Sequence, residues 1–205
     1  MELLVATTNP GKFREVSAFL KNLPLKIVSL ADLFDPPAVT EDGATFEENA
    51  VKKARALAEF SGLLTLADDS GLEVDALNGA PGIYSARYAG AECDDTKNNE
   101  KLLSKLRSVS EEKRSARFVC ALALCSPGSK KIADWTVRGV CEGRIAFSLQ
   151  GTHGFGYDPL FFYPPMNKTL GEIERDTKST VSHRGKALNR LAIELRDLLG
   201  MSKQT

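Results

Sequence analysis

Apolar and polar positions alternate along the chain in a way that predicts short strands separated by amphipathic helices. Glu2 to Ala6 reads as a first strand, followed by the polar loop Thr7-Thr-Asn-Pro-Gly-Lys12. A helix is predicted from about Gly11 to Asn22, because Phe13, Val16, Leu20 and Leu23 recur at helical spacing and define one stripe. Leu25 to Leu30 reads as a second strand, and Asp35 to Gly43, with Pro36 and Pro37, as a loop. Thr45-Phe-Glu-Glu48 is a capping-box pattern that opens a helix running to about Ser61, with Gly62 as its stop. Phe46, Ala50, Ala54 and Leu57 form its apolar face. Lys53 lies about 20° from Phe46 around the helix, on that same face. An inward lysine either snorkels to solvent or presents its ammonium to a ligand.

The centre of the chain is the stretch from Leu66 to Gly90. Leu63, Leu64, Leu66 and Ala67 read as a buried strand, with Asp68, Asp69 and Ser70 placed at its end. Adjacent carboxylates there need cations, hydrogen bonds or a metal, or else solvation in a turn. Gly71, Gly79, Gly82 and Gly90, with Pro81, predict tight backbone turns after them. Asp94 to Leu106 reads as a helix, followed by two or three strands over Ala116–Cys125, Lys131–Val140 and Gly143–Phe147. A glycine-rich loop over 151–162 leads into an aromatic strand. A last helix begins near Ser182, with Leu188, Leu191, Leu195 and Leu198 on one stripe. The alternation predicts a mixed α/β chain, a single elongated domain over residues 1–205 with two lobes.

Charge narrows the partners. Lysine plus arginine equals aspartate plus glutamate at 27 each, so no global field favours nucleic acid or an anionic membrane, and any anion site must be local. The longest plainly apolar run, Phe118 to Cys125, is far shorter than a membrane span. The first residues, with an acid at position 2, fit neither a secretion signal nor a transit peptide. Four cysteines show no CxxC pair, and no histidine stands at zinc spacing. The expectation is a protein of the reducing cytoplasm, without membrane or nucleic-acid partners.

Four clusters carry candidate chemistry. Thr7, Thr8, Asn9, Pro10, Gly11 and Lys12 sit between a strand and a helix start, where free N–H groups and a lysine suit a phosphate; the same residues also make an ordinary turn. Glu41, Asp68 and Asp69 supply the oxygen donors that Mg²⁺ takes. Phe155-Gly-Tyr-Asp158 reads either as core or as a slot for a planar base whose N–H groups donate to the aspartate. Lys178-Ser-Thr-Val-Ser-His-Arg184 opens the last helix, with Ser182 as its N-cap. His183 and Arg184 there oppose the helix dipole and call for a compensating anion or ligand.

Taken together, TTNPGK at 7–12, EDGATFEENAVKKA at 41–54, LADDSGLEVDALNGAPGIYSARYAG at 66–90, GFGYDPLFF at 154–162 and KSTVSHRGKAL at 178–188 resemble the Ham1 / inosine triphosphate pyrophosphatase family of the bacterial dITP/XTP type. The resemblance runs nearly end to end. It implies a long twisted mixed central sheet flanked by helices, two lobes with an active-site cleft, and a homodimer. It also implies Mg²⁺-dependent hydrolysis of non-standard purine nucleoside triphosphates to the monophosphate and pyrophosphate. By position, the loop 7–12 (Thr7, Asn9 and Lys12 foremost) and Lys53 would bind the triphosphate. Asp69 would be proton acceptor and metal ligand, with Glu41 and Asp68 in the metal site and Ser70 on substrate. Phe155, Gly156, Tyr157 and Asp158 would form the base pocket, and Lys178, His183 and Arg184 would close on substrate.

Two other readings compete. A Maf-type nucleotide pyrophosphatase shares the Asp68-Asp69-Ser70 feature but not the SHR and FGYD motifs. A non-catalytic nucleotide sensor would be favoured by missing carboxylates, and Glu41, Asp68 and Asp69 are all present.

Overall fold

The computed structural model describes residues 1–128 and 135–201. Seven strands lie in one sheet in the order β2-β1-β3-β4-β5-β6-β7. They are β1 (Glu2–Ala6), β2 (Lys26–Ser29), β3 (Leu64–Val74), β4 (Ser115–Cys125), β5 (Trp135–Ile145), β6 (Phe161–Tyr163) and β7 (Lys168–Thr169). The helices are α1 (Pro10–Leu20), α2 (Phe46–Ser61), α3 (Asp95–Lys105), α4 (Arg175–Val181) and α5 (His183–Leu198). β1 pairs in parallel with both β2 and β3, as strands joined through helical crossovers do. β5–β6 and β6–β7 are antiparallel. The sheet is therefore mixed, as expected.

The chain divides into two compact units. The first comprises the described residues of 1–69, 120–139 and 184–205. Its core joins Leu3 and Val5 of β1, Val16 and Leu20 of α1, Leu122 and Leu124 of β4, and Leu188, Leu191 and Leu195 of α5. Leu198, the fourth member of the expected stripe, is exposed where α5 ends. The second unit comprises 70–119 and 140–183. Its core joins Leu72 and Val74 of β3, Leu102 and Leu106 at the end of α3, Phe118 of β4, Cys141 and Ile145 of β5, and Phe161 of β6.

The structure departs from the sequence expectations at identifiable points. β3 does not stop at Asp68 but continues to Val74. The two carboxylates are mid-strand because each finds partners, and Gly71 keeps the strand open to the chain that follows. A Cβ there would sit 2.5 Å from the Gly82 carbonyl oxygen and collide with Ser85 Oγ. Of the two or three strands expected over 116–147, the stretches 131–140 and 143–147 are one strand from Trp135, while 131–134 lie outside the described residues. Gly143 does not break β5, because its missing side chain admits β6; a Cβ would stand 2.5 Å from Phe162 O. The capping box of α2 is offset by one residue. Thr45 Oγ1 accepts from Glu48 N at 3.1 Å, but the Glu48 carboxylate accepts from Ala44 N at 2.7 Å instead of from Thr45. Helix α4, which carries Lys178, had no periodic signal over its seven residues.

Candidate active site

In the first unit, four elements bring charged residues together. Asn9 caps α1, its Oδ1 accepting from Gly11 N at 2.8 Å and Lys12 N at 3.0 Å, while Thr7 Oγ1 accepts from Asn9 N at 3.2 Å. The loop thus occupies two of the helix N–H groups that the sequence left open for a phosphate. Lys12, the third residue of the helix, extends to Asp68 on β3, with Nζ 2.6 Å from Oδ1 as an ion pair.

Asp68 is the hub of this cluster. Its Oδ2 accepts from Arg184 Nε at 2.7 Å and from the Cys120 thiol at 3.1 Å. Burial by itself would raise the carboxyl, but the Arg184 and Lys12 charges outweigh it and hold the pKa well below the usual carboxylate range. Burial pushes the Cys120 thiol up, and the adjacent Asp68 charge pushes it further, so it acts as a hydrogen-bond donor. Arg184 Nη1 also donates to Glu15 Oε2 at 2.5 Å. Burial would weaken the guanidinium's charge, yet Asp68 and Glu15 raise its pKa. The anion that Arg184 requires at the start of α5 is therefore supplied by the protein itself, through Asp68 and Glu15.

Asp69 points into a different environment. It is 6% exposed and accepts from Asn49 Nδ2 at 3.0 Å, and Asn49 Oδ1 in turn accepts from Gly43 N at 2.8 Å. Burial raises its pKa and outweighs the opposing pull of Lys12 and Lys53, with Glu41 raising it further. Lys53 forms an ion pair with Glu41 from the inward face of α2. Among Lys12, Lys53, Arg184, Glu15, Glu41, Asp68 and Asp69, four carboxylates face three cations. Burial, more than this balance of charges, is what raises the Asp69 pKa.

The donor set suits a divalent cation in part. Glu41 and Asp69 are oxygen donors of the kind such an ion takes. Asp68 carries two cations, Lys12 and Arg184, against the single Lys53 at Glu41. Among the described residues, no group of three or more His, Cys, Asp or Glu side chains is placed to hold a metal ion. The three carboxylates thus have different partners: Lys12 and Arg184 at Asp68, Lys53 at Glu41 and Asn49 at Asp69.

In the second unit, the loop Phe155–Asp158 folds on itself. Asp158 is 2% exposed, and its Oδ2 accepts from Phe155 N at 2.8 Å and Lys178 Nζ at 2.7 Å. Gly154 and Gly156 take positive φ of 81° and 62°, which glycine adopts without strain. At Gly154 a Cβ would also strike the Asp158 carboxylate. Lys178 Nζ lies 5.1 Å from the centre of the Phe155 ring. The Tyr157 hydroxyl donates to Ser85 O at 2.8 Å, and burial raises its pKa, leaving it a neutral donor. His183 stacks on Phe118 with ring centroids 4.7 Å apart. Ser70 is half-buried on β3.

Several participants escaped the sequence reading. Asn49 had a readable signal: it is a polar residue at i+3 from Phe46 on the apolar face of α2, where it is fully buried. Glu15, a polar residue between apolar helix positions, and Cys120, inside an apolar run, gave no signal.

Fold and cluster together define the class: a mixed α/β protein with buried carboxylates, lysines and an arginine gathered at the start of a helix. The chain belongs to the Ham1 family, which matches residues 3–194. It is 53% identical over 195 residues to a dITP/XTP pyrophosphatase of Exiguobacterium sp., covering 95% of this chain and 97% of that protein. It is 55% identical over 186 residues to a dITP/XTP pyrophosphatase of Geobacter sulfurreducens, covering 91% and 92%. Among solved structures, a HAM1 protein from Coxiella burnetii superimposes with a TM-score of 0.88 at 40% identity, covering 96% of this chain and 99% of the other. A dITP/XTP pyrophosphatase from Mycobacterium abscessus superimposes with a TM-score of 0.75 at 43% identity, covering 93% and 98%.

Proposed function

We propose that this chain hydrolyses non-canonical purine nucleoside triphosphates, ITP, dITP, XTP and dXTP, to the monophosphate and pyrophosphate. The observation that carries this is Asp69: a buried carboxylate, held by Asn49, whose pKa burial raises against the opposing pull of Lys12 and Lys53. Relatives named dITP/XTP pyrophosphatase over nearly the whole chain support the substrate class.

In this reading Lys12 and Lys53 neutralise the phosphates, and Asn9, with its neighbours Thr7, Thr8, Pro10 and Gly11, shapes the loop that receives them. Asp69 takes the proton from the attacking water, a role its raised pKa favours. Glu41 and Asp69 would hold a divalent cation, for which we propose Mg²⁺, and such an ion would neutralise phosphate charge and acidify water. Pyrophosphate leaves with its charge already met by lysines. Phe155, Gly156, Tyr157 and Asp158 receive the base, and Lys178, His183, Arg184 and Ser70 serve substrate closure. Asp68 is assigned to holding Lys12 and Arg184 in place, not to binding metal. A homodimer and a cytoplasmic location belong to the same proposal; no helix among the described residues is long and apolar enough to cross a membrane.

Selectivity would follow from donors presented to a 6-oxo group, which adenine's amino group leaves unpaired at a cost of about 1–3 kcal/mol each. The test is product analysis with ITP, XTP, GTP and ATP, with Mg²⁺ and with EDTA. Mg²⁺-dependent pyrophosphate from ITP and XTP, with little from ATP or GTP, is the expected result. Orthophosphate would mean attack at the γ-phosphorus, and binding without turnover would make the chain a sensor.

A further inference from the structure

We propose that Asp95 and Asn99, on successive turns of α3, are positioning residues that fix the Phe155–Asp158 loop and thereby set discrimination among purine bases. This rests on the assignment of that loop to the base. Asp95 Oδ2 accepts from Gly156 N at 2.8 Å, and Asn99 Nδ2 donates to Gly156 O at 3.0 Å. The two residues are four apart, so both face the loop from one side of the helix. Between them they hold both peptide planes that flank the Gly156 Cα. That atom is the natural pivot of the loop, since Gly156 has positive φ and no side chain to restrain it. Phe155 precedes the pivot and Tyr157 follows it, so a fixed Gly156 fixes the directions of both rings.

The platform is itself anchored. The neighbouring Asn98, 2% exposed, uses both ends of its amide: Oδ1 accepts from Ala89 N at 2.6 Å and Nδ2 donates to Ala86 O at 2.9 Å. Asn99 differs. It is 6% exposed and donates to Gly156, but its Oδ1 is buried with no hydrogen-bond partner among the described residues. A half-satisfied buried amide costs stability that an apolar side chain of similar size would not. Stability alone therefore gives no reason for an asparagine here, whereas a donor aimed at Gly156 O does.

The test compares Asp95→Ala, Asp95→Asn and Asn99→Leu with the wild type by steady-state pyrophosphate release from ITP, XTP, GTP and ATP. The ratio of kcat/KM for ITP over ATP is expected to fall about tenfold in Asp95→Ala and Asn99→Leu. The loss should fall mainly on KM for ITP, with kcat changed by no more than about twofold. Asp95→Asn, which keeps an acceptor for Gly156 N, should behave like the wild type. Asp95 is exposed, so its alanine variant tests the proposal even if Asn99→Leu fails to fold. Folded variants that keep the ratio within about twofold, or that lose turnover equally on every nucleotide, would overturn the proposal. A wild type that hydrolyses none of the four would instead overturn the hydrolase reading, and base positioning with it.

Discussion

Arg184 Nε lies 2.7 Å from Asp68 Oδ2 across 116 residues of sequence, and both side chains are almost completely buried. This contact joins the start of α5 to the middle of β3 within the first unit. Removing one partner of a buried ion pair leaves the other uncompensated, which typically costs about 3–5 kcal/mol. Asp68→Asn should therefore lower the unfolding free energy by about that amount in urea titrations. A loss below about 1 kcal/mol would show that Arg184 is adequately compensated by Glu15 alone.

The same carboxylate sets an acid limit. Its folded pKa is depressed, so in the window below the ordinary aspartate value the unfolded chain binds more protons than the folded one. The stabilisation is present in full above the ordinary value and is lost as pH falls through the folded one. Urea unfolding followed from about pH 5 to about pH 2 should show stability falling steeply in the wild type and less in Asp68→Asn. Parallel curves would contradict the assignment.

Asp69 has the opposite sign. Burial raises its pKa, so the folded state binds the extra proton, and its ionisation costs stability above the folded value. Asp69→Asn removes that cost and leaves the amide of Asn49 a carbonyl acceptor. The variant should melt at or above the wild-type temperature in EDTA while losing at least about 100-fold in kcat. Retained turnover would remove Asp69 from the chemistry.

Glu41 and Lys53 neutralise each other in the structure. Glu41→Gln is expected to raise the Mg²⁺ concentration for half-maximal rate by about tenfold or more, with a smaller effect on KM for ITP. Lys53→Met should show the reverse, weakening nucleotide binding more than metal dependence. A titration of rate against Mg²⁺ at saturating ITP distinguishes them, and equal effects in both would argue for a purely structural pair.

Gly71 is a steric requirement of β3. Its Cβ position is already taken up by Ser85 and the Gly82 carbonyl, and Ser85 Oγ also accepts from Leu72 N at 2.8 Å. Gly71→Ala should destabilise the fold by at least about 1–3 kcal/mol, measured by thermal or urea unfolding. A neutral substitution would mean that the segment 82–85 moves freely away from the strand.

The sequence by itself determined the elements whose signal is local. The stripe of Phe46, Ala50, Ala54 and Leu57 made α2 legible, together with the inward placement of Lys53, because a helix repeats its environment every three or four residues. The motifs at 7–12, 41–54, 66–90, 154–162 and 178–188 likewise carried the family and the candidate residues. What only the tertiary structure decided is how the charges are shared. No spacing in the sequence could pair Asp68 with Arg184, draw Glu15 into that pair, or set Asn49 against Asp69, since those contacts join segments far apart in the chain. The carboxylates at 68 and 69 are adjacent in sequence and alike in chemistry, yet one is fixed as an anion by two cations and the other is pushed toward its neutral form. Successive strand residues point to opposite faces, so each meets different neighbours, and the partners supplied by folding give the two aspartates opposite pKa shifts.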